Sequence, residues 1–207
     1  MVEKELIQYT HVLANVIREK SFDPITQRTP YYHMGATIID SVLQAGLNYQ
    51  HVVYPRVKKL LAKFPDYKTT CDFLILMQVV PLPELIDWRK GNKIERILDL
   101  SWFLFDKNIE NEDHLAAWLE QSEHINQLRQ IKGVGPKTVD YLKMLSGTQA
   151  IAIDRHLFAF LELAGIVNRT YEEAHAIYSR TSEMLGISNY ELDRQVWLYM
   201  SSKRIVV

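Results

Sequence analysis

The run Ile131-Lys132-Gly133-Val134-Gly135-Pro136-Lys137 constrains this chain more than any other segment. It ends one helical pattern and starts another within a few residues. Upstream, Ser122 to Gln130 reads as a helix: Ser122 is placed to cap it, and Ile125, Leu128 and Ile131 recur at three-residue spacing on one face. Glycine reaches positive φ without a steric penalty, and with no side chain it lets a ligand approach the backbone. Pro136 falls at the first position of the next helix, where a missing N–H costs nothing. Val139, Leu142 and Leu145 then carry that second helix. Its free N–H groups and positive dipole end therefore open from the turn as a seat for an anion. A plain helix connector whose glycines serve packing is the competing reading, and the turn by itself leaves both open.

Two side chains flank this turn. Lys137 lies one turn into the second helix, where the dipole, neighbouring cations and partial burial disfavour the charged form; only a neutral amine is a nucleophile. Ile151-Ala152-Ile153 is a short apolar run ending in Asp154, just before the amphipathic segment His156 to Leu163. Aspartate is a strong N-cap, so Asp154 reads as a cap as well as a carboxylate for chemistry. Taken singly, Lys137 suits a solvated helix face and Asp154 a cap. Their joint placement around Gly133-Val134-Gly135 is what argues for a site, and for chemistry on a nucleic-acid strand.

Elsewhere the periodicity is helical almost throughout. Leu6, Val12, Leu13, Val16 and Ile17 form one stripe, and residues 21–30 form a loop with two prolines. Ile38, Ile39, Val42 and Leu43 mark a buried helix, and residues 52–64 another that Pro65-Asp66 stops. Residues 73–80 suit a short helix or a buried strand, ended by Pro81-Leu82-Pro83. Residues 93–105, 113–120, 171–185 and 190–201 are further amphipathic helices. No alternating run of strand length and no internal repeat is present, so the fold class is all-α.

Composition excludes several functions. A chain of 207 residues with 47% hydrophobic and 24% charged residues supports a true core. A net charge of −1 is a mild argument against a nucleic-acid partner, but Lys58, Lys59 and Lys63 cluster, and Lys132, Lys137 and Lys143 surround the turn. The single cysteine, Cys71, excludes an intrachain disulfide framework and fits a reducing compartment. No apolar run reaches the ~18 residues of a membrane span, and the amino-terminal segment reads as a charged helix rather than a signal peptide. The seven histidines form no zinc-binding spacing, and there is no Walker loop, dinucleotide fingerprint or nucleophile elbow.

The segments IKGVGPKTVDYL and AIDRHLF resemble the helix-hairpin-helix plus Gly-Pro-Asp signature of the DNA glycosylase superfamily that includes endonuclease III. Weaker similarity runs from about Met34 to Met200. The resemblance implies a two-lobed helical fold, with a six-helix barrel over 34–148 and a second lobe from 1–33 with 149–207. The active cleft is expected between the lobes. It also implies a hairpin (Lys132, Gly133, Val134, Gly135) that grips the DNA backbone, with a monovalent cation at the carbonyls of Ile131 and Gly133. Lys137 would be the strand-cleaving nucleophile and Asp154 the catalytic aspartate, within Ile153-Asp154-Arg155-His156. Gln44, Asn48 and Gln50 are the candidates for filling the gap left by a flipped base. Tyr31, Tyr32 and His33 are candidates for contacting that base, although packing is an alternative role for each. Many members bind an iron–sulfur cluster through four cysteines, which one thiol cannot build, so no cluster and no other cofactor is expected. The alkyl-base members without a cluster generally lack the lysine, so Lys137 points to the strand-cleaving branch. The expected partner is duplex DNA with a damaged base, bound by a monomer in the cytoplasm or on a nucleoid. No short motif encodes which base is removed.

Overall fold

The computed structural model describes residues 1–26, 28–89 and 91–203. Twelve α-helices and no strand occur among these residues, so the chain is all-α. In chain order they are α1 Glu3–Lys20, α2 Met34–Leu43, α3 Tyr54–Lys63, α4 Thr70–Val79, α5 Leu82–Leu85 and α6 Asn92–Asp106. There follow α7 Glu112–Trp118, α8 Ser122–Leu128, α9 Pro136–Leu145, α10 Arg155–Leu163, α11 Tyr171–Leu185 and α12 Asn189–Ser202. A single π-helical turn, Tyr49–Val53, leads into α3. No helix among the described residues is long and apolar enough to cross a membrane.

The chain divides into two compact units, Arg28–Thr148 and Met1–Gln27 with Gln149–Val207. The first holds α2 to α9. Its centre is α2, whose ten residues are all buried. The core around it gathers Ile38, Ile39, Leu60, Phe73, Leu76, Ile97, Leu100 and Leu142, each at most 1% exposed. This unit takes in residues 28–33, which the resemblance assigns to the other lobe. Arg28, Tyr31 and His33 explain why, since all three bond to side chains or backbone of this unit.

The second unit packs α1 against α11 and α10 against α12 around Leu13, Leu157, Phe160, Ile177, Tyr178 and Val196. The Tyr178 hydroxyl donates to the Leu157 carbonyl at 2.8 Å, so burying this phenol leaves no polar atom stranded. Ile151 and Ile153, the apolar run ahead of Asp154, are buried in the same core.

Residues 73–80, open between helix and strand in the sequence, belong to α4 as far as Val79, with Val80 its extended C-cap. Thr69 accepts from the Asp72 N–H while the Asp72 carboxylate accepts from the Thr69 N–H, and this reciprocal cap selects the helix. One expected cap is corrected. Ser122 is the first helical residue of α8 rather than its cap; Gln121 stands there and makes no side-chain cap bond.

Candidate functional site

The turn between α8 and α9 is built from short backbone bonds. The Ile131 N–H donates to Leu128 O at 3.2 Å and the Val134 N–H to Ile131 O at 2.9 Å. Val134 is buried at 4% exposure and anchors the turn to the core, while Lys132 and Gly133 stay exposed. The two glycines serve different ends. Gly133 has φ +86°, in the left-handed region that L side chains avoid, and its Cα lies against the Arg96 guanidinium with no room for a Cβ. Gly135 has φ −103° and ψ −177°, extended backbone open to any residue, and a Cβ there would meet nothing within 4 Å. Neither conformation nor packing requires a glycine at 135, so open space is left at the start of α9.

That helix start is electrostatically unusual. Gly135 is its N-cap and offers no side-chain cap, and Pro136 follows it. Lys137 is half-buried in the first turn. Two residues near the start of α6 join it. The Arg96 Nε–H donates to the Lys132 carbonyl at 3.0 Å. Lys93 Nζ donates to the carbonyls of Val42 and Ala45 at 2.6 and 2.8 Å, closing the C-terminal end of α2. Partial burial, then the charges of Arg96 and Lys137, lowers the Lys93 pKa to about 8. Three cationic side chains therefore gather where the α9 dipole is already positive. Sequence reasoning missed Lys93 and Arg96, which lie some forty residues upstream of the turn (roughly the order of separation at which no local pattern links two residues).

The same turn can be tested for the monovalent cation that the resemblance implies. The Ile131 carbonyl already accepts from Val134, the Lys132 carbonyl accepts from Arg96, and the guanidinium lies against Gly133. A dissolved cation ~4 Å from that guanidinium would be opposed by about 1–4 kcal/mol, depending on screening. The turn thus already holds a positive charge of its own beside the carbonyls where the resemblance places the ion.

One face of α9 continues inward. Tyr141 lies one turn beyond Lys137, on the same side of the helix. Its hydroxyl donates to Asp40 at 3.2 Å, and the Tyr31 hydroxyl donates to the other oxygen of Asp40 at 2.6 Å. Arg28 completes the group, 3.7 Å from Asp40, stacked 4.0 Å over the Tyr31 ring and donating to the Tyr49 hydroxyl at 3.1 Å. Asp40 is fully buried, the one charged residue of its helix. Burial raises the pKa of Tyr31 and Tyr141, and the charge of Asp40 adds to it, so both phenols stay protonated. Burial works against the charge on Arg28, but Tyr31, Tyr49 and Asp40 outweigh it. A lone carboxylate within MGATIIDSVL is a sequence signal that points to this cluster, and sequence reasoning passed over it.

The remaining candidates in this unit separate clearly. His33 is 2% exposed, with Nδ1 accepting from the Ala36 N–H and Nε2 3.1 Å from the Phe64 carbonyl. It is a helix cap with both ring nitrogens engaged, which leaves none for a base. Tyr31 is held in the Asp40 cluster, while Tyr32 is 61% exposed with φ +52°. Asn48 caps the π-helical turn by accepting from the His51 N–H at 2.9 Å, and Gln50 is exposed. Gln44 follows Asp40 by one helical turn, and its buried Nε2 has no hydrogen-bond partner among the described residues.

In the other unit, Asp154 is the N-cap of α10. Its Oδ1 accepts from the N–H groups of His156 and Leu157 at 2.8 and 3.1 Å, and the residue is half-buried. His156 packs edge-on to Trp197, with centroids 5.8 Å apart. Among the described residues no group of three His, Cys, Asp or Glu side chains is placed to hold a metal ion.

No curated protein and no solved structure matches this chain. Residues 89–201, more than half of the 207, match the family described as Domain of unknown function (DUF8548), and the span takes in α6 through most of α12 with both Lys137 and Asp154. The chain belongs to that family.

Proposed function

We propose that this chain is a DNA base-excision repair glycosylase with associated abasic-site lyase activity, acting as a monomer on duplex DNA that carries a damaged base. The observation that carries this reading is the start of α9, where open space at Gly135 and an uncapped helix end meet Lys93, Arg96 and Lys137. A phosphate oxygen suits three cations and a helix N-terminus together. An amine among other cations is also the setting that favours a neutral nucleophile.

In this reading the damaged base is extruded from the stack, because its glycosidic bond is unreachable inside the duplex. The neutral amine of Lys137 attacks the sugar C1′, the bond from C1′ to the base breaks, and the base leaves with a proton. The sugar ring opens to a Schiff base. Loss of a C2′ proton then expels the phosphate on the 3′ side. Asp154 stabilises the positive charge that develops on the sugar. Gln44 fills the gap left by the base: a buried amide without a partner costs about 1–3 kcal/mol, which moving to a partner on DNA would recover.

A second reading, a non-catalytic DNA-binding protein, draws on the work that Asp154 does as a helix cap. A third, a monofunctional glycosylase in which Lys137 only contacts DNA, shares the binding surface. Borohydride trapping on lesion or abasic duplex separates them. The parent should give a covalent adduct and Lys137→Gln none, with duplex binding largely kept. Asp154→Asn retains a good cap and should lower base release by about two orders of magnitude or more. Trapping that survives Lys137→Gln would move the nucleophile elsewhere, and base release that survives both variants would remove the proposed chemistry.

A further inference from the structure

We infer that Arg96 is the resident cation of the α8–α9 turn, fixing its shape and meeting the DNA phosphate there, so that the turn binds duplex without a dissolved metal ion. The inference rests on the proposed DNA reading for its ligand and on the turn itself for its geometry. Three observations carry it. The Arg96 Nε–H donates to the Lys132 carbonyl at 3.0 Å, which holds a positive charge between the two carbonyls, of Ile131 and Gly133, that the resemblance gives to a cation. The guanidinium occupies the space where a Cβ at residue 133 would stand. Lys93, three residues before Arg96 on α6 and held by its own bonds to Val42 and Ala45, keeps a second positive charge beside it.

The chemistry favours this arrangement. A guanidinium has five N–H donors in a plane, and the Lys132 carbonyl takes one. A planar fork also pairs with phosphate oxygens in a way that a hydrated ion does not. Because Arg96 belongs to the chain, its charge does not depend on salt identity. The pairing of Gly133 with Arg96 is moreover reciprocal: a side chain at 133 would expel the guanidinium, and a shorter residue at 96 would leave the turn open.

The test compares the parent and Arg96→Met in potassium chloride and in choline chloride at equal ionic strength, choline being too large for a turn of carbonyls. Two quantities are read: thermal unfolding without DNA, and duplex affinity by fluorescence anisotropy. The parent should unfold at the same temperature in both salts and bind equally in both. Arg96→Met should bind every duplex more weakly by about tenfold or more, the scale of one charge-assisted contact. A parent whose unfolding temperature or affinity is higher in potassium than in choline uses a metal ion, and the inference is overturned. Undiminished affinity in folded Arg96→Met overturns it as well. If Arg96→Met does not fold, the parent's two salts still decide. A parent that binds duplex in neither salt refutes the proposed function, while its unfolding temperatures still report on the cation in the turn.

Discussion

Alanine at the two glycines of the turn should have unequal effects on stability and the same effect on binding. Gly133→Ala forces an L residue to φ +86° and drives a methyl group into the Arg96 guanidinium. The left-handed conformation costs about 1–2 kcal/mol. Displacing Arg96 from the Lys132 carbonyl removes an exposed hydrogen bond worth about 1 kcal/mol net. The total, about 2–3 kcal/mol, should lower the unfolding temperature by roughly 5–10 °C for a protein of this size. Gly135→Ala faces neither difficulty: its φ is −103° and nothing lies within 4 Å of the new methyl. Its cost is the small preference of an N-cap for glycine over alanine, below about 1 kcal/mol. Yet both variants should weaken binding to every duplex alike, because phosphate contacts position a protein without reading its sequence. Gly135→Asp, which adds like charge to bulk, should weaken it further. Circular dichroism melts and anisotropy titrations over a salt series give both quantities, and the parent's affinity should fall with added salt. A folded Gly135→Ala and Gly135→Asp that bind duplex as the parent does would refute the reasoning, and the turn would then be a helix connector.

Two further measurements probe the surroundings. Asp40→Ala strips the buried partner from Arg28, Tyr31 and Tyr141, and should cost about 3–5 kcal/mol by urea unfolding, with a loss below about 1 kcal/mol ruling out the cluster as a stabilising centre. Lys93 has a folded pKa of about 8 against an ordinary 10.5, so between those values the unfolded chain binds more protons and stability rises with pH. Lys93→Met should flatten that rise from about pH 8 to about pH 10; above about pH 10 the raised phenols Tyr31 and Tyr141 reverse the slope, as the unfolded tyrosines ionise first.

The helices were largely legible because their signals are local. Tyr171–Leu185 begins and ends where the periodicity places it, behind the reciprocal cap of Thr170 and Glu173 and ahead of Gly186 at φ +68°. Residues 73–80 were not legible as a helix. Apolar on every side, they show no period, and only the bond between Thr69 and Asp72 decides. The candidate site was legible in part for the same reason. The turn, the proline and the amine of Lys137 are contiguous. Asp154 was legible as a residue but not as a single role, since capping and catalysis ask for the same side chain at the same position. Arg96, Lys93 and the Asp40 cluster come together only through packing of α6 and α9 on α2. Nothing within a window of sequence reports that.

The arrangement at the start of α9 runs against stability taken alone. A helix N-terminus favours anions, and here it is met by Lys137 with Lys93 and Arg96 close by. The bonds of Lys93 to Val42 and Ala45 and of Arg96 to Lys132 offset part of that repulsion and hold both cations in place. Further along the same helix the order is reversed. Tyr141 is tied to the fully buried Asp40, so α9 is anchored by a carboxylate one turn from the cluster of positive charge. A rigid anchor behind concentrated like charge is the design of a site prepared for a ligand of the opposite sign, because the ligand relieves a repulsion that the free protein sustains. A connector would need neither the cations nor the open space at Gly135. That asymmetry within one ten-residue helix is what supports the proposed reading, in which the turn meets a polyanionic strand.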